Sequence, residues 1–298
     1  MDATYFTKTL LGIQRAFNFY DPLSLGAHKE FLTSSHYPVF IVGAPRSGST
    51  LLYQLLLKQG GFLYISNLMA LMPGFMIVLA KMFKELHRVN KIKPSNYGYI
   101  PGIFSPSEAG VIFEKWFEAD PSEVSIKRIR NTIIQISRCF KAPLLSKNLK
   151  NSLRLPNISK VIPEAKFIFV TRDPLFNAQS ILLARRKLFG DDFVWWSVAP
   201  EGYEIILDKD PLYQVLWQVI EINKRIKGFF KCHAIDWIEI SYERLCVDTG
   251  SEINNIAEQL EGPAPGKTLE LSSIENQNQI KVNSSEWQKL NYFYNNMR

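Results

Sequence analysis

Apolar positions in this chain fall into short unbroken runs separated by longer stretches with helical spacing. Pro38-Val39-Phe40-Ile41-Val42-Gly43 is such a run, closed by glycine, and predicts a buried strand. Thr50 to Lys58 follows as an apolar-rich helix. Lys166-Phe167-Ile168-Phe169-Val170-Thr171 predicts a second buried strand, then a turn at Asp173-Pro174 and a helix through Ala178 to Arg186. Leu212 to Phe230 carries apolar residues at helical spacing and leads into a third strand, Trp237-Ile238-Glu239-Ile240-Ser241. Leu144-Leu145 predicts part of a fourth, short strand with Lys147 at its end. Strands alternating with helices argue an α/β fold around a mostly parallel sheet. In such sheets ligands sit at the carboxyl ends of the strands, where each motif discussed below falls.

Composition narrows the picture slightly. At 298 residues, 46% hydrophobic and 21% charged, the chain can bury a sizeable core and is not globally disordered. A net charge of +7 suits an anionic partner without choosing one. The three cysteines, Cys139, Cys232 and Cys246, form no CxxC pair, which argues against structural zinc and against a disulfide framework. Leu68 to Ala80 is the most apolar stretch, but Pro73-Gly74 interrupts it and it is too short to span a bilayer. No signal peptide is evident, so a cytoplasmic protein is expected. No linker divides the chain, which predicts one domain over 1–298 with a helical, acceptor-side insertion around 60–141.

The strongest chemical signal is Gly43-Ala44-Pro45-Arg46-Ser47-Gly48-Ser49-Thr50, between a predicted strand and a predicted helix. Backbone N–H groups at such a helix start converge on an anion. The ATP-type loop reads GxxxxGK[ST]; here Ser49 stands in the lysine's place and Arg46 is the only cation. That favours a nucleotide without a γ-phosphate.

Pro45 to Leu52 closely resembles the 5′-phosphosulfate loop of sulfotransferases that use 3′-phosphoadenosine-5′-phosphosulfate (PAPS), in the arginine version found in tyrosylprotein and many bacterial sulfotransferases. Phe167 to Pro174, running on to Ser180, resembles the same family's 3′-phosphate motif, in which a strand ends in Arg-Asp-Pro with a serine eight residues after the arginine. The resemblance covers Val39 to Lys289 and matches poorly between Gly60 and Lys141. It implies a three-layer α/β sandwich, the P-loop NTPase-like sulfotransferase fold. It further implies Arg46, Ser47, Gly48, Ser49, Thr50, Arg172 and Ser180 as ligands of PAPS or its product PAP. Tyr242 would lie by the adenine, and Ser285 sits in a closing segment that can touch the cofactor. Lys147 resembles the lysine that touches the transferring sulfuryl group.

Sulfuryl transfer needs a general base, in-line placement and cations, and in principle no metal. No histidine lies near Lys147, where cytosolic animal relatives place their base; Asn151 occupies that neighbourhood. Glu108, before an amphipathic helix, is the preferred base by its resemblance to the tyrosylprotein enzymes, with His36 in reserve. A small-molecule acceptor bearing a hydroxyl or amine is implied. The Met-rich stretch Met69 to Phe83, the pair Trp195-Trp196 and Tyr203 suit either its pocket or plain core. Arg185-Arg186-Lys187 could face an acidic acceptor or solvent. Two other readings stay open: a P-loop kinase or NTPase, and a non-catalytic PAP-binding module. No nucleic-acid-binding motif is evident.

Overall fold

The computed structural model describes residues 37–260 and 273–297. In chain order its strands and α-helices are β1 (Val39–Gly43), α1 (Ser49–Gln59), α2 (Asn67–Leu71), α3 (Met76–Phe83), α4 (Gly110–Trp116), α5 (Glu123–Phe140), β2 (Leu145–Lys147), α6 (Leu155–Val161), β3 (Lys166–Thr171), α7 (Pro174–Phe189), α8 (Pro211–Cys232), β4 (Trp237–Ser241), α9 (Tyr242–Val247), α10 (Thr249–Gln259) and α11 (Ser284–Met297).

The four strands pair in the order β2-β1-β3-β4, every pair parallel. Alternation along each strand splits the core between the two faces of the sheet. Phe40, Val42, Phe167 and Phe169 point to one face and pack with residues of α3 to α8. Val39, Ile41, Ile168, Val170 and Ile240 point to the other and pack with α1 and α10. The outcome is three layers, helices over a parallel sheet over helices. Both faces of β1 and β3 are covered, which explains why these strands are apolar throughout.

The Met-rich stretch is core rather than pocket wall. Met69, Met76, Ile77 and Ala80 are buried among α5 and its neighbours, and the break at Pro73 separates α2 from α3. Phe75 and Met82 turn outward. Among the described residues no helix is long and apolar enough to cross a membrane.

His87 sits just past α3, ringed by Tyr64, Phe104 and Phe140 at 5.2–6.0 Å between ring centres. Burial lowers its pKa below the usual imidazole value, and the 2.9 Å contact of Nδ1 with the Phe83 carbonyl opposes this only in part. With the folded pKa depressed, the unfolded chain binds the proton more tightly. The contribution of His87 to stability is therefore full above the unfolded value of about 6.5 and is lost as pH falls through the depressed folded value. Thermal melts between about pH 7.5 and pH 5 should lose stability more steeply in the wild type than in His87→Phe. Equal slopes would show that the ring titrates alike in both states.

Candidate active site

Three chain segments converge at the carboxyl edge of the sheet. The first is the loop between β1 and α1. Gly43, at φ +156°, has the Val170 carbonyl oxygen 2.5 Å from where a Cβ would stand, so the strand can leave the sheet there only without a side chain. Gly48, at φ +92°, caps α1, and a Cβ there would stand 2.5 Å from the Tyr242 ring. Arg46 between them adopts a left-handed backbone, φ +67°. The first N–H groups of α1, at Ser49 and Thr50, have no intrahelical acceptor and open onto the site.

The second segment is the end of β3. Arg172 donates from Nη1 to the Arg46 carbonyl at 3.0 Å and stacks over the Tyr242 ring at 4.6 Å. Its Nε donates to Asn278 Oδ1 at 2.8 Å and its Nη2 to the Gln277 carbonyl at 3.3 Å. Burial lowers the Arg172 pKa, but a guanidinium starts so high that it stays charged. Asp173 caps α7 by accepting from the Leu175 and Phe176 N–H groups. Ser180, in the second turn of α7, accepts from Arg46 Nε at 3.0 Å. Burial likewise raises the Tyr242 pKa, so its phenol stays neutral and accepts from the Gln277 N–H at 3.0 Å.

The third segment is the end of β2. Lys147, the last residue of that strand, is 2% exposed and ion-paired with Glu108. Glu108 arrives from the turn before α4, where Ala109 takes a left-handed conformation, and its carbonyl accepts from Asn148 Nδ2 at 2.9 Å. Gly98 leaves room for this pair, since a Cβ there would fall 2.1 Å from Glu108 Oε1. Its neighbour Tyr97 lies under the Arg46 guanidinium at 5.5 Å and meets Trp196 edge-on, 5.5 Å between ring centres.

A single cavity of about 690 Å³ joins the three segments. Arg46, Gly48, Ser49, Thr50, Glu108, Lys147, Arg172, Ser180 and Tyr242 all line it. Two other residues singled out in the sequence do not. Ser47 turns its hydroxyl into the loop interior, buried and without a hydrogen-bond partner among the described residues. Ser285 is exposed on the first turn of α11, while Gln277 and Lys281 of the preceding segment reach the cavity instead. Asn151 is buried away from the cavity. His36 lies outside the described residues. Among the described residues, no group of three His, Cys, Asp or Glu converges in a way that could hold a metal ion.

Some wall residues carried no sequence signal strong enough to find them. Tyr97 and Gly98 sit in a tight turn closed by a bridge between Asn96 and Tyr99, and Asn-x-Gly marks a turn without saying what it faces. Gln179, 2% exposed, holds the C-terminal segment against α7. Its Nε2 donates to the Gln279 carbonyl and its Oε1 accepts from the Lys281 and Val282 N–H groups. Nothing in the local sequence distinguishes it from an ordinary helical glutamine.

The parallel sheet gathers cationic side chains and backbone donors at its carboxyl edge, an arrangement suited to an anion. The family model described as the Sulfotransferase family matches residues 38–265, and the chain belongs to that family. Its fold is similar to that of sulfotransferase STF9 from Mycobacterium avium, with TM-score 0.55 and 15% identity over 93% of this chain and 79% of the other. It is also similar to sulfotransferase STF1 from Mycobacterium tuberculosis H37Rv, with TM-score 0.53 and 14% identity over 84% of this chain and 73% of the other. None of the curated proteins matches it in sequence.

Proposed function

We propose that the protein transfers the sulfuryl group of PAPS to a hydroxyl or amine of a small-molecule acceptor, with Glu108 as general base. The observation that carries this reading is the convergence on one cavity of Arg46 with the start of α1, of Arg172 with Ser180, and of the Glu108 carboxylate beside the buried Lys147.

The donor set suits PAPS. Gly48 packs against the Tyr242 ring, and the first N–H groups of α1 beyond it line the cavity without intrahelical acceptors, which suits a phosphate. Arg46, with the N–H groups of Ser49 and Thr50, suits the 5′-phosphosulfate. Arg172 and Ser180 suit a 3′-phosphate, which ATP lacks. Tyr242 offers a neutral aromatic face beside Gly48. When bound, PAPS supplies a sulfuryl group whose bond to the 5′-phosphate breaks as the acceptor atom bonds to sulfur.

The chain's own groups do the rest. Glu108 takes the acceptor proton on a carboxylate oxygen. Lys147 and Arg46 hold positive charge where negative charge develops. Tyr97 and Trp196 supply an aromatic wall that aligns an acceptor beside Glu108.

Calorimetry with PAP, against ATP plus Mg²⁺, tests the reading. PAP should bind, ATP should bind far more weakly, and [³⁵S]PAPS should label a hydroxylated acceptor. Tighter binding of Mg·ATP than of PAP by folded protein would point to the kinase class and overturn the proposal.

A further inference from the structure

The cationic run Arg185-Arg186-Lys187 separates into three different environments. Arg185 is fully buried, donating to the Asp192 carbonyl and to Gln214 Oε1 and stacking on Trp195 at 5.0 Å. Arg186 is held between Asp192 and Glu286. Both serve to pin the chain that leaves α7. Lys187 is different: it is exposed, it lines the cavity, and among the described residues no hydrogen bond or ion pair engages it.

Its place along α7 decides which end of the cavity it faces. Arg172 and Asp173 lie at the start of this helix, whereas Lys187 lies seven residues beyond Ser180, about 10 Å farther along the axis. The chain returns from the end of α7 to Trp196, Ser197 and Val198, which form the facing wall. Gln218 fixes that wall by donating to the Trp196 and Val198 carbonyls. Ser197 takes a left-handed backbone there, φ +72°. Trp196 in turn touches Tyr97, whose neighbour Gly98 abuts Glu108 and Lys147. Lys187 therefore belongs to the acceptor end and not to the end where Arg172 and Tyr242 meet.

The charge balance of the cavity leaves Lys187 unanswered. Glu108 and Glu114 are its only lining carboxylates among the described residues. Glu108 is taken by Lys147, and Glu114 lies within electrostatic reach of Arg154. Of the other lining cations, Arg46, Arg172 and Lys281 surround the nucleotide end, Lys147 ends β2, and Lys150 lies three residues beyond it in the turn Leu149–Leu153.

We propose that Lys187 binds an anionic group on the acceptor, a carboxylate or phosphate carried at a distance from the hydroxyl or amine that is sulfated. The proposal rests on the sulfotransferase reading above and adds the acceptor's chemical class to it.

The test uses the full chain loaded with PAP and three phenols: 4-hydroxyphenylacetate, its uncharged amide, and 4-hydroxyphenyl phosphate. Calorimetry should show either anion binding about fivefold to tenfold more tightly than the amide, the size of one charge-assisted contact at a partly screened site. The carboxylate and phosphate arms tell the two anion sources apart. Lys187→Gln should remove the preference and Lys187→Arg should keep it, with PAP affinity the same in all three proteins. Equal binding of anions and amide, no binding of any of the three phenols, or a preference that survives Lys187→Gln would overturn the proposal. So would weakened PAP binding in Lys187→Gln, which would assign the lysine to the nucleotide. If the wild type fails to bind PAP at all, the underlying sulfotransferase reading fails first, and the two failures are distinguishable.

Discussion

Replacing Arg172 by alanine should weaken PAP binding about 100-fold, because a forked arginine makes two charge-assisted hydrogen bonds to a phosphate, each worth about 1.5–3 kcal/mol before losses. The arginine is preorganised for that task. Its Nε is held by Asn278, one face lies on Tyr242, and one Nη donates to the Arg46 carbonyl. Four guanidinium N–H bonds lie on the two Nη atoms, and the Arg46 and Gln277 carbonyls take two of them. Two donors are left without an acceptor among the described residues, and Arg172 lines the cavity. Arg172→Lys should fall between wild type and alanine, since it keeps the charge and loses the fork. Thermal melts on each variant separate this effect from lost stability. Unchanged PAP affinity in a folded Arg172→Ala protein would remove the 3′-phosphate assignment.

The second large effect is expected at Glu108. Glu108→Gln should lower kcat by about 10²- to 10³-fold, the usual contribution of a positioned general base. PAP affinity should stay nearly constant, because the carboxylate faces Lys147 and Gly98 rather than the loop between β1 and α1. Glutamine keeps the shape and can still accept a hydrogen bond from Lys147, so the variant isolates the proton-accepting role. A folded Glu108→Gln enzyme with wild-type turnover would eliminate Glu108 as the base.

The parts of the fold and site that were legible in the sequence are those written contiguously. A strand, a glycine-rich loop and a helix start follow one another from Val39 to Gln59, so their geometry is local. The same holds for β3, the Asp173 cap and Ser180. Lys147 at the end of a short strand was also readable, because an apolar pair followed by a polar residue is the pattern of a buried strand reaching its edge. What the sequence left open depends on distant partners. The Lys147–Glu108 ion pair spans 39 positions, and only tertiary packing makes the two residues neighbours. The run Arg185-Arg186-Lys187 is uniform in charge, yet Gln214, Asp192 and Glu286 sort its members into buried, paired and free. Resemblance drew attention to Ser285, whereas Gln179 draws the earlier residues Gln277 and Lys281 to the cavity. Met69 of α2 and Met76 of α3 carry the apolar character that either a pocket or a core would need, and packing against α5 settles both in the core, while Met82 turns outward.

The hydrogen bond from Arg172 Nη1 to the Arg46 carbonyl joins two motifs that lie 126 positions apart. The Arg46 side chain returns the tie through Ser180. The loop after β1 and the end of β3 are therefore coupled, and substitutions in them should combine non-additively. Drift at one end is penalised at the other, since a loop that shifts takes away a contact that orients the distant arginine. On the sulfotransferase reading, substitutions in the acceptor wall should act one by one, whereas the loop after β1 and the end of β3 should be kept or lost together.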